Sequence, residues 1–233
     1  MATDLAALSG AVIAFDLDGT LVDTAPDIVP TLNLLLAQEG FEPLPFAEGR
    51  DLIGGGALAL IERGFQRAGA EFSEVRAAAL FERFLHLYAE HIADRSRPYP
   101  GVVEALGELR GAGARLAVCT NKQTRLSRSL LEKLGLAGFF EAIVGPDAAG
   151  ARKPDPRHLE AAIAAAGGEP RRAVMVGDAI TDAEAARAAG VPLILVSFGD
   201  TETPAAELSP DILIDHFDQL PEACVRLLGA CGG

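Results

Sequence analysis

The sequence predicts an α/β fold, in which a doubly wound parallel sheet forms the core and an all-helical cap is inserted into it. Two observations predict the core: short runs rich in valine and isoleucine recur without polar alternation, and helix-patterned segments separate most of them. Such runs are typical of strands buried on both faces, and strand–helix alternation favours right-handed βαβ units. A third observation predicts the cap, because residues 24–97 show helical patterning alone. The expected core is Rossmann-like.

The predicted strands are short and apolar, and most pairs are far enough apart for a helix between them. In chain order they are Ala11–Phe15, Arg115–Cys119, Ala142–Val144, Ala173–Val176, Pro192–Val196 and Ile212–Ile214. They lack the alternation of polar and apolar residues that marks a sheet with one solvated face. We therefore expect helices on both sides of the sheet.

The inserted segment shows two clear helical patterns. The first begins near Pro26 and ends at Gly40, since proline favours the first turn of a helix and glycine its end. The second begins near Ser73 and carries large apolar residues at helical spacing. Those apolar residues are Phe81, Phe84, Leu85, Tyr88 and Ile92.

The domain boundaries follow from these patterns. We expect no strand between Thr24 and about Pro98, and we place the junctions near Asp23–Pro26 and Arg95–Gly101. The predicted domains are residues 1–23 with 98–233 for the α/β core and residues 24–97 for the helical cap.

The charge balance is strongly acidic and narrows the possible partners. The 233 residues include 20 Lys and Arg against 33 Asp and Glu, a net charge of −13 at pH 7. Nucleic-acid-binding proteins usually carry a basic patch, and anionic membranes attract basic segments, so we expect neither partner. The longest uncharged run, Ala188–Gly199, is shorter than the roughly 20 residues that a membrane-spanning helix needs.

The first residues and the cysteines favour a cytoplasmic protein. The N-terminal segment has no basic region and does not resemble a secretion signal. The cysteines Cys119, Cys224 and Cys231 are sparse and lack metal-binding spacing, which favours a reducing compartment. The sequence leaves a monomer and a homodimer equally open.

Polar residues follow several predicted strands at the point where each strand ends. Asp16-Leu17-Asp18-Gly19-Thr20 follows the first strand, Thr120-Asn121 the second, Lys153-Pro154 a loop after the third, and Gly177-Asp178 the fourth. Ligands of open parallel sheets bind outside the carboxyl ends of the strands. We therefore expect these distant residues to meet in one crevice.

The carboxylates at this edge indicate a divalent cation. Asp16 and Asp18 share a face at the end of an extended segment, and Asp178 adds a third charge. Their repulsion must be offset by protons or a cation, and oxygen ligands favour Mg²⁺. The alternative is a turn in which both residues of the first pair cap backbone amides. Asp182, one helical turn after Asp178, either faces the same site or stabilises the N-terminus of its helix.

Lys153 is predicted to lie in a loop that points at the crevice. Pro154 disfavours helix at the lysine, Asp155 can cap the next helix, and Pro156 suits its first position. In so acidic a chain, a cation that faces several carboxylates is suited to bind a phosphate group and a nucleophile.

These four motifs, in this order, resemble the haloacid dehalogenase superfamily, and specifically its phosphatases with a helical cap after the first motif. The resemblance implies that Asp16 is the nucleophile that forms an aspartyl-phosphate and that Asp18 is the general acid and then the general base. Thr120, Asn121 and Lys153 would bind the transferring phosphoryl group. A carboxylate at position 18 favours an alcohol leaving group over a halide, and therefore a phosphatase.

The same resemblance implies a Mg²⁺ site. The ion would be held by Asp178, by a carboxylate oxygen of Asp16 and by the backbone carbonyl of Asp18, with Asp182 beside it. The chemistry agrees, because phosphate monoesters hydrolyse extremely slowly and a covalent step together with neutralised phosphoryl oxygens lowers that barrier. The expected partner is a small anionic phosphate ester.

One cap segment, residues 51–57, resembles the Ile-Gly-x-Gly loop of phosphoglycolate phosphatases. Gly54, Gly55 and Gly56 would let backbone amides approach a small anion, and Arg50 could add a positive charge. A cap hinge or a loop that starts a helix is the equally weighted alternative. The segment SFGDTETPAAEL departs from the phosphoglycolate pattern, so a sugar phosphate, an amino-sugar phosphate or pyrophosphate remains an alternative to 2-phosphoglycolate.

Two other chemistries compete with this interpretation. Cys119 and Arg125 have the Cys-x5-Arg spacing of thiolate phosphatases, but the loop between them has no glycine and the cysteine closes an apolar strand. A non-enzymatic receiver-like domain would also use an aspartate acceptor, a threonine and a lysine. Receiver domains are shorter, have no cap and lack the second aspartate of the pair.

Overall fold

A computed structural model describes residues 5–70, 72–199 and 203–230 of the chain. The strands are β1 (Val12–Phe15), β2 (Val22–Asp23), β3 (Arg97–Pro98), β4 (Arg115–Cys119), β5 (Ala142–Val144), β6 (Ala173–Gly177), β7 (Leu193–Val196) and β8 (Ile212–Ile214). The helices are α1 (Ala25–Gln38), α2 (Phe46–Arg50), α3 (Ala57–Arg67), α4 (Glu74–Glu90), α5 (Val102–Gly111), α6 (Thr124–Lys133), α7 (Pro146–Ala149), α8 (Pro156–Ala165), α9 (Ile180–Ala189) and α10 (Leu220–Ala230). Cys231 and residues 200–202 of the SFGDTETPAAEL segment lie outside the described residues.

Six parallel strands form the main sheet, in the order β5-β4-β1-β6-β7-β8. Phe15 at the end of β1 lies opposite Val118 of β4 and Val176 of β6. The chain builds β4 and β5 on one side of β1 and then crosses over to build β6, β7 and β8 on the other. This reversal beside β1 opens a crevice beyond the carboxyl ends of the central strands.

Both faces of the sheet are buried, because helices cover each of them. Ile13 and Phe15 belong to one apolar cluster, whereas Val12 and Ala14 belong to a second cluster on the opposite face. The side chains of a strand alternate between its faces, which explains this division. The doubly wound parallel fold is therefore confirmed, and each predicted strand is present with its ends within one residue.

The helices α1–α4 occupy the segment that was expected to form the cap. α4 begins after Ser73 as predicted, although Ile92 lies just beyond its end. α1 packs against the other three helices, and a Cβ atom at Gly64 of α3 would lie only 2.9 Å from Leu32 of α1. The sequence analysis predicted neither α2 nor α3 as a separate helix. α2 has only five residues, which is too few to show a helical pattern of apolar residues.

The expectation of no strand between Thr24 and Pro98 was wrong at the C-terminal end of that segment, where Arg97–Pro98 forms β3. β2 and β3 form a two-stranded antiparallel ribbon, in which Val22 lies opposite Pro98 and Asp23 opposite Arg97. Two residues are too few to show the alternation that marks a strand. The chain thus leaves the core along β2 and returns to it along β3, and these two strands lie side by side. The domain division at residues 23/24 and 97/98 stays a prediction. Within the described residues, no helix has the length and apolar character to cross a membrane.

Candidate active site

The ends of β1, β4 and β6 bring the predicted site residues to one edge of the sheet. The N–H of Asp16 donates to the Val176 carbonyl at 2.9 Å, so this residue continues the pairing of β1 with β6. The N–H of Thr120 continues the pairing of β4 with β5 in the same way, through Val144 at 3.2 Å. The first residues after β1 and β4 are therefore held by the last backbone hydrogen bonds of the sheet.

Asp16, Lys153 and Asp182 form a buried cluster at this edge. Lys153 Nζ lies 2.8 Å from Asp16 Oδ1 and donates to Asp182 Oδ1 at 2.6 Å. The lysine side chain is only 1% exposed, so its charge is shielded from water by these two partners. Burial alone lowers the pKa of Lys153, but the two carboxylates outweigh it and raise the pKa above its usual value.

Asp16 retains a proton more readily than an exposed aspartate. Burial raises its pKa, Lys153 lowers it, and Asp182 and Asp18 raise it again, with a net value of about 6. The carboxyl group is therefore mainly ionised at neutral pH, although it stands in a water-poor environment. An ionised oxygen that is poorly solvated and fixed by a lysine is a suitable nucleophile.

Asp178 and Asp182 are held at the start of α9. Asp178 accepts a hydrogen bond from Thr20 Oγ1 at 2.7 Å, and Asp182 Oδ2 accepts the backbone N–H groups of Asp178 and Ala179, both at 3.1 Å. A Cβ atom at Gly177 would lie 2.4 Å from Asp182 Oδ2, so only glycine allows this close turn. Asp182 thus both caps the N-terminus of its helix and binds Lys153 in the site. The sequence had left these two roles open as alternatives.

The donor set fits a hard divalent cation. Asp16, Asp178 and Asp182 each offer a carboxylate oxygen, and these oxygens lie within 4.8 Å of one another. Lys153 is bonded to two of these carboxylates, those of Asp16 and Asp182. The all-oxygen donor set suits Mg²⁺. Both oxygens of Asp182 are already bonded within the chain, which favours a position beside the ion for this residue.

The loop before α8 holds Lys153 through its backbone. Asn121 Oδ1 accepts the Lys153 N–H at 2.9 Å, and Asn121 Nδ2 donates to the Lys153 carbonyl at 3.1 Å. His158 Nδ1 also accepts from the Lys153 N–H at 3.2 Å, and its Nε2 donates to the Val144 carbonyl at 3.1 Å. The predicted Asp155 cap is confirmed by its bond from the Arg157 N–H. Burial lowers the pKa of His158 to about 4 and keeps the ring neutral.

Asp18 has a cationic partner that the sequence analysis did not single out. Lys122 Nζ lies 2.8 Å from both carboxylate oxygens of Asp18, and Thr24 Oγ1 donates to Oδ1 at 2.8 Å. The same ammonium stands 4.5 Å from the centre of the Tyr88 ring, which belongs to α4. Burial lowers the pKa of Lys122, but Asp18 outweighs that effect and raises it. The sequence analysis placed Thr120 and Asn121 at this edge but did not extend the site to the next residue, Lys122.

A cavity of about 620 Å³ lies between this edge and the helices α1, α3 and α4. Asp16, Asp18, Thr120 and Asn121 line it from the core, and large apolar side chains line it from the cap. Those apolar residues include Ile28, Ile53, Leu58, Leu60, Phe81, Phe84, Leu85 and Tyr88. The candidate nucleophile and acid therefore open onto one space with an apolar wall.

The predicted cap residues divide into two groups. Gly54 and Gly56 line the cavity, and both have positive φ angles, of 106° and 84°, that favour glycine. Gly56 precedes α3, so the loop does start a helix. Arg50 is not among the residues that line the cavity; it donates to Asp23 Oδ1 at 3.1 Å beside the β2–β3 ribbon. Arg152, which sequence analysis passed over, lines the cavity and donates to the carbonyl of Gly55.

Cys119 is a poor nucleophile in this structure. Its side chain is buried in the sheet, and burial raises the pKa of the thiol to about 12. A thiol with that pKa carries almost no thiolate at neutral pH, and the thiolate is the reactive form.

Comparison with known proteins identifies the family. The profile of the haloacid dehalogenase-like hydrolases matches residues 13–196, which include β4, β6 and every predicted site residue. The chain belongs to this family. The chain is 56% identical to a phosphoglycolate phosphatase of Caulobacter vibrioides over 224 residues, which cover 96% of the chain and 94% of that relative. It is 47% identical to a phosphoglycolate phosphatase of Agrobacterium fabrum, with 94% of each covered.

Solved structures of haloacid dehalogenase-like hydrolases share the whole fold. A crystal structure described as a predicted phosphoglycolate phosphatase from Haemophilus somnus superposes with a TM-score of 0.85 at 30% identity, over 92% of this chain and 97% of that one. CbbY from Rhodobacter sphaeroides, crystallised in complex with phosphate, superposes with a TM-score of 0.77 at 25% identity, over 90% of this chain and 96% of that one. Membership of a hydrolase family removes the receiver-like alternative.

Proposed function

We propose that the chain is a Mg²⁺-dependent phosphatase of small phosphomonoesters that acts on 2-phosphoglycolate. The observation that carries the chemistry is the buried Asp16 carboxylate, fixed by Lys153 and open to the same cavity as Asp18. The substrate is supported by the relatives named phosphoglycolate phosphatase, which match nearly the full chain. Sugar phosphates, amino-sugar phosphates and pyrophosphate are the alternative substrates.

The proposed reaction has two chemical steps. In the first, an oxygen of Asp16 attacks phosphorus, the bond from phosphorus to the ester oxygen breaks, and Asp18 gives a proton to the departing alcohol. In the second, Asp18 takes a proton from water, the water oxygen attacks phosphorus, and phosphate leaves with Asp16 restored. Lys122, bonded to both oxygens of Asp18, would orient that carboxyl group.

The phosphoryl group needs several positive or donating partners. We assign this role to Lys153 Nζ, the Thr120 hydroxyl and the backbone N–H of Asn121, since the Asn121 side chain is already bonded to the Lys153 backbone. Asp16 and Asp178 would hold Mg²⁺, which supplies positive charge against the phosphoryl oxygens when it is bound. Asp182 would keep Lys153 in place.

The nucleophile is tested by substitution of Asp16. Asp16→Asn removes the ionised oxygen but keeps the shape of the side chain, so we expect phosphate release to fall by more than about 10³-fold. Release would be measured with 2-phosphoglycolate, and circular dichroism would verify the fold. Cys119→Ala is the matched control, and it should keep activity because the thiol is buried and protonated. Activity retained by the first variant and lost in the second would assign the nucleophile to the cysteine instead.

The substrate is tested by a panel of phosphorylated metabolites. We expect 2-phosphoglycolate to give the highest kcat/KM among phosphoglycolate, glucose 6-phosphate, glucosamine 6-phosphate and pyrophosphate. A higher value for any of the other three would contradict the proposed substrate but leave the assignment of Asp16 standing.

A further inference from the structure

Two cations among the described residues line the cavity, and their surroundings differ. Lys122 is bonded to Asp18 and packed on the Tyr88 ring, so its charge is already neutralised. Arg152 stands on the loop before Lys153, and no carboxylate in the described part of the chain lies within 4.0 Å of its guanidinium nitrogens. Arg152 is therefore the cavity-lining cation whose charge is still available to an anion.

The Arg152 guanidinium reaches from the core to the cap, beside the proposed phosphate-binding loop. Its Nη2 donates to the carbonyl of Gly55. A Cβ atom at Gly56 would lie 3.1 Å from Arg152 Nη2 and 3.1 Å from the backbone oxygen of Asn121. An arginine has five N–H donors, so one bond to Gly55 leaves others for a ligand in the cavity.

The proposed substrate needs a cation at this place. In 2-phosphoglycolate one methylene group separates the carboxylate from the ester oxygen that is bonded to phosphorus. The carboxylate must therefore lie next to the residues that bind phosphate. Most of the cap wall is apolar and offers no charge to a carboxylate. A guanidinium binds a carboxylate with paired hydrogen bonds, which are stronger than neutral ones.

We propose that Arg152 binds the carboxylate of the substrate and determines the preference for carboxylated phosphate esters. This inference rests on the proposed function. Because the same side chain bonds the glycine loop of the cap, a bound carboxylate would be enclosed between the core and that loop. Arg152 takes part in substrate binding and leaves the chemical steps to Asp16 and Asp18.

The test compares 2-phosphoglycolate with ethyl phosphate, which has the same two carbons and lacks the carboxylate. We expect Arg152→Gln to lower kcat/KM for 2-phosphoglycolate by about 10- to 100-fold, the loss expected for one charge-assisted contact. The decrease in kcat/KM for ethyl phosphate should be much smaller, so the preference of the enzyme for 2-phosphoglycolate over ethyl phosphate should be largely lost. Arg152→Lys, which keeps the charge, should retain more of the preference. Arg157→Gln removes an exposed arginine that lies five residues after Arg152 and is paired with Asp155, and it should change neither value.

Two results would overturn the proposed role of Arg152 and leave the proposed function standing. Equal losses with both substrates would show that Arg152 only holds the cap against the core. A preference that survives in Arg152→Gln would place the carboxylate elsewhere. If the unmodified enzyme showed no preference for 2-phosphoglycolate over ethyl phosphate, the proposed substrate would fail first and the role of Arg152 with it.

Discussion

His158 is a buried neutral ring that supports the residue at the centre of the site. It accepts the N–H of Lys153 and donates to Val144, so it joins the loop before α8 to the end of β5. A positive charge on this ring would cost the Nδ1 hydrogen bond and would stand close to Lys153. These two hydrogen bonds give His158 a structural role.

The lowered pKa of His158 makes stability depend on pH. The pKa is about 4 in the folded chain and near 6.5 when the ring is exposed, so the contribution is complete above pH 6.5 and is lost as the pH falls toward 4. Over that interval the free energy of unfolding should fall by an amount on the order of 3 kcal/mol through this residue.

Urea unfolding from pH 7.5 to pH 4, with and without His158→Gln, would measure that effect. The variant should be less stable at neutral pH, because it loses the imidazole bonds, and the two proteins should converge in acid. A constant difference across the whole range would show that the ring does not titrate in this way.

The residues of the site were predictable to different degrees. Asp16, Asp18 and Asp178 could be predicted because they lie directly after or within three residues of the end of a buried strand, and strand ends converge in a parallel sheet. Lys122 and Arg152 were missed although each adjoins a predicted site residue, Asn121 and Lys153 respectively. Neither directly follows a strand, and the direction of a loop side chain is set by the packing around it.

At the scale of elements, Asp27 of α1 fastens the end of the cap segment. Its carboxylate accepts the N–H of Arg95 at 3.0 Å, and the N–H and hydroxyl of Ser96 at 2.8 and 2.6 Å. These groups lie just before β3, where the chain re-enters the core, and Asp27 and Ser96 are buried. One side chain therefore satisfies several donors that have little access to water.

Asp27→Ala should destabilise the protein by about 2 to 4 kcal/mol, because it leaves buried donors without partners. Urea denaturation would give the change in free energy of unfolding. Asp51→Ala, at an exposed aspartate of the same cap segment, is the control and should be nearly neutral. Equal stability of the two variants would mean that the segment around Ser96 finds other partners.

The elements themselves were predicted well where burial is strong. The six sheet strands are apolar apart from Arg115 at the start of β4, so their positions were evident. The proline and glycine signals placed α1 and the start of α8. The ribbon of β2 and β3 and the short helix α2 were missed, because elements of two to five residues are too short for a repeating pattern of apolar residues to be recognised.

For the whole molecule, charge links metal binding to stability. The chain carries a net charge of −13, and three of its carboxylates are gathered in the buried cluster around Lys153. A cation that binds only the folded chain stabilises it by about 2.7 kcal/mol at 100 times its dissociation constant. Mg²⁺ should therefore raise the melting temperature as well as support turnover.

Removal of divalent ions with EDTA should abolish phosphate release and lower the melting temperature, and added Mg²⁺ should restore both. Asp178→Asn should weaken the thermal response to Mg²⁺, because it removes one proposed ligand. Turnover that continues in EDTA, together with a melting temperature that ignores Mg²⁺, would exclude the proposed site. The topology of the main sheet was predictable from the sequence, whereas the alcohol portion of the substrate was not, since the cavity wall is assembled from residues of several helices.

The β2–β3 ribbon places the two ends of the cap segment opposite each other, with Asp23 beside Arg97. The polypeptide between them begins and finishes at one point of the scaffold, so its length and sequence are independent of how the sheet is threaded. A different segment could be grafted at this point without rerouting any strand that carries Asp16, Thr120 or Asp178. The cap's share of the cavity wall is thereby separated in the covalent chain from the strands that carry the phosphoryl chemistry, so either of them can change while the other is preserved.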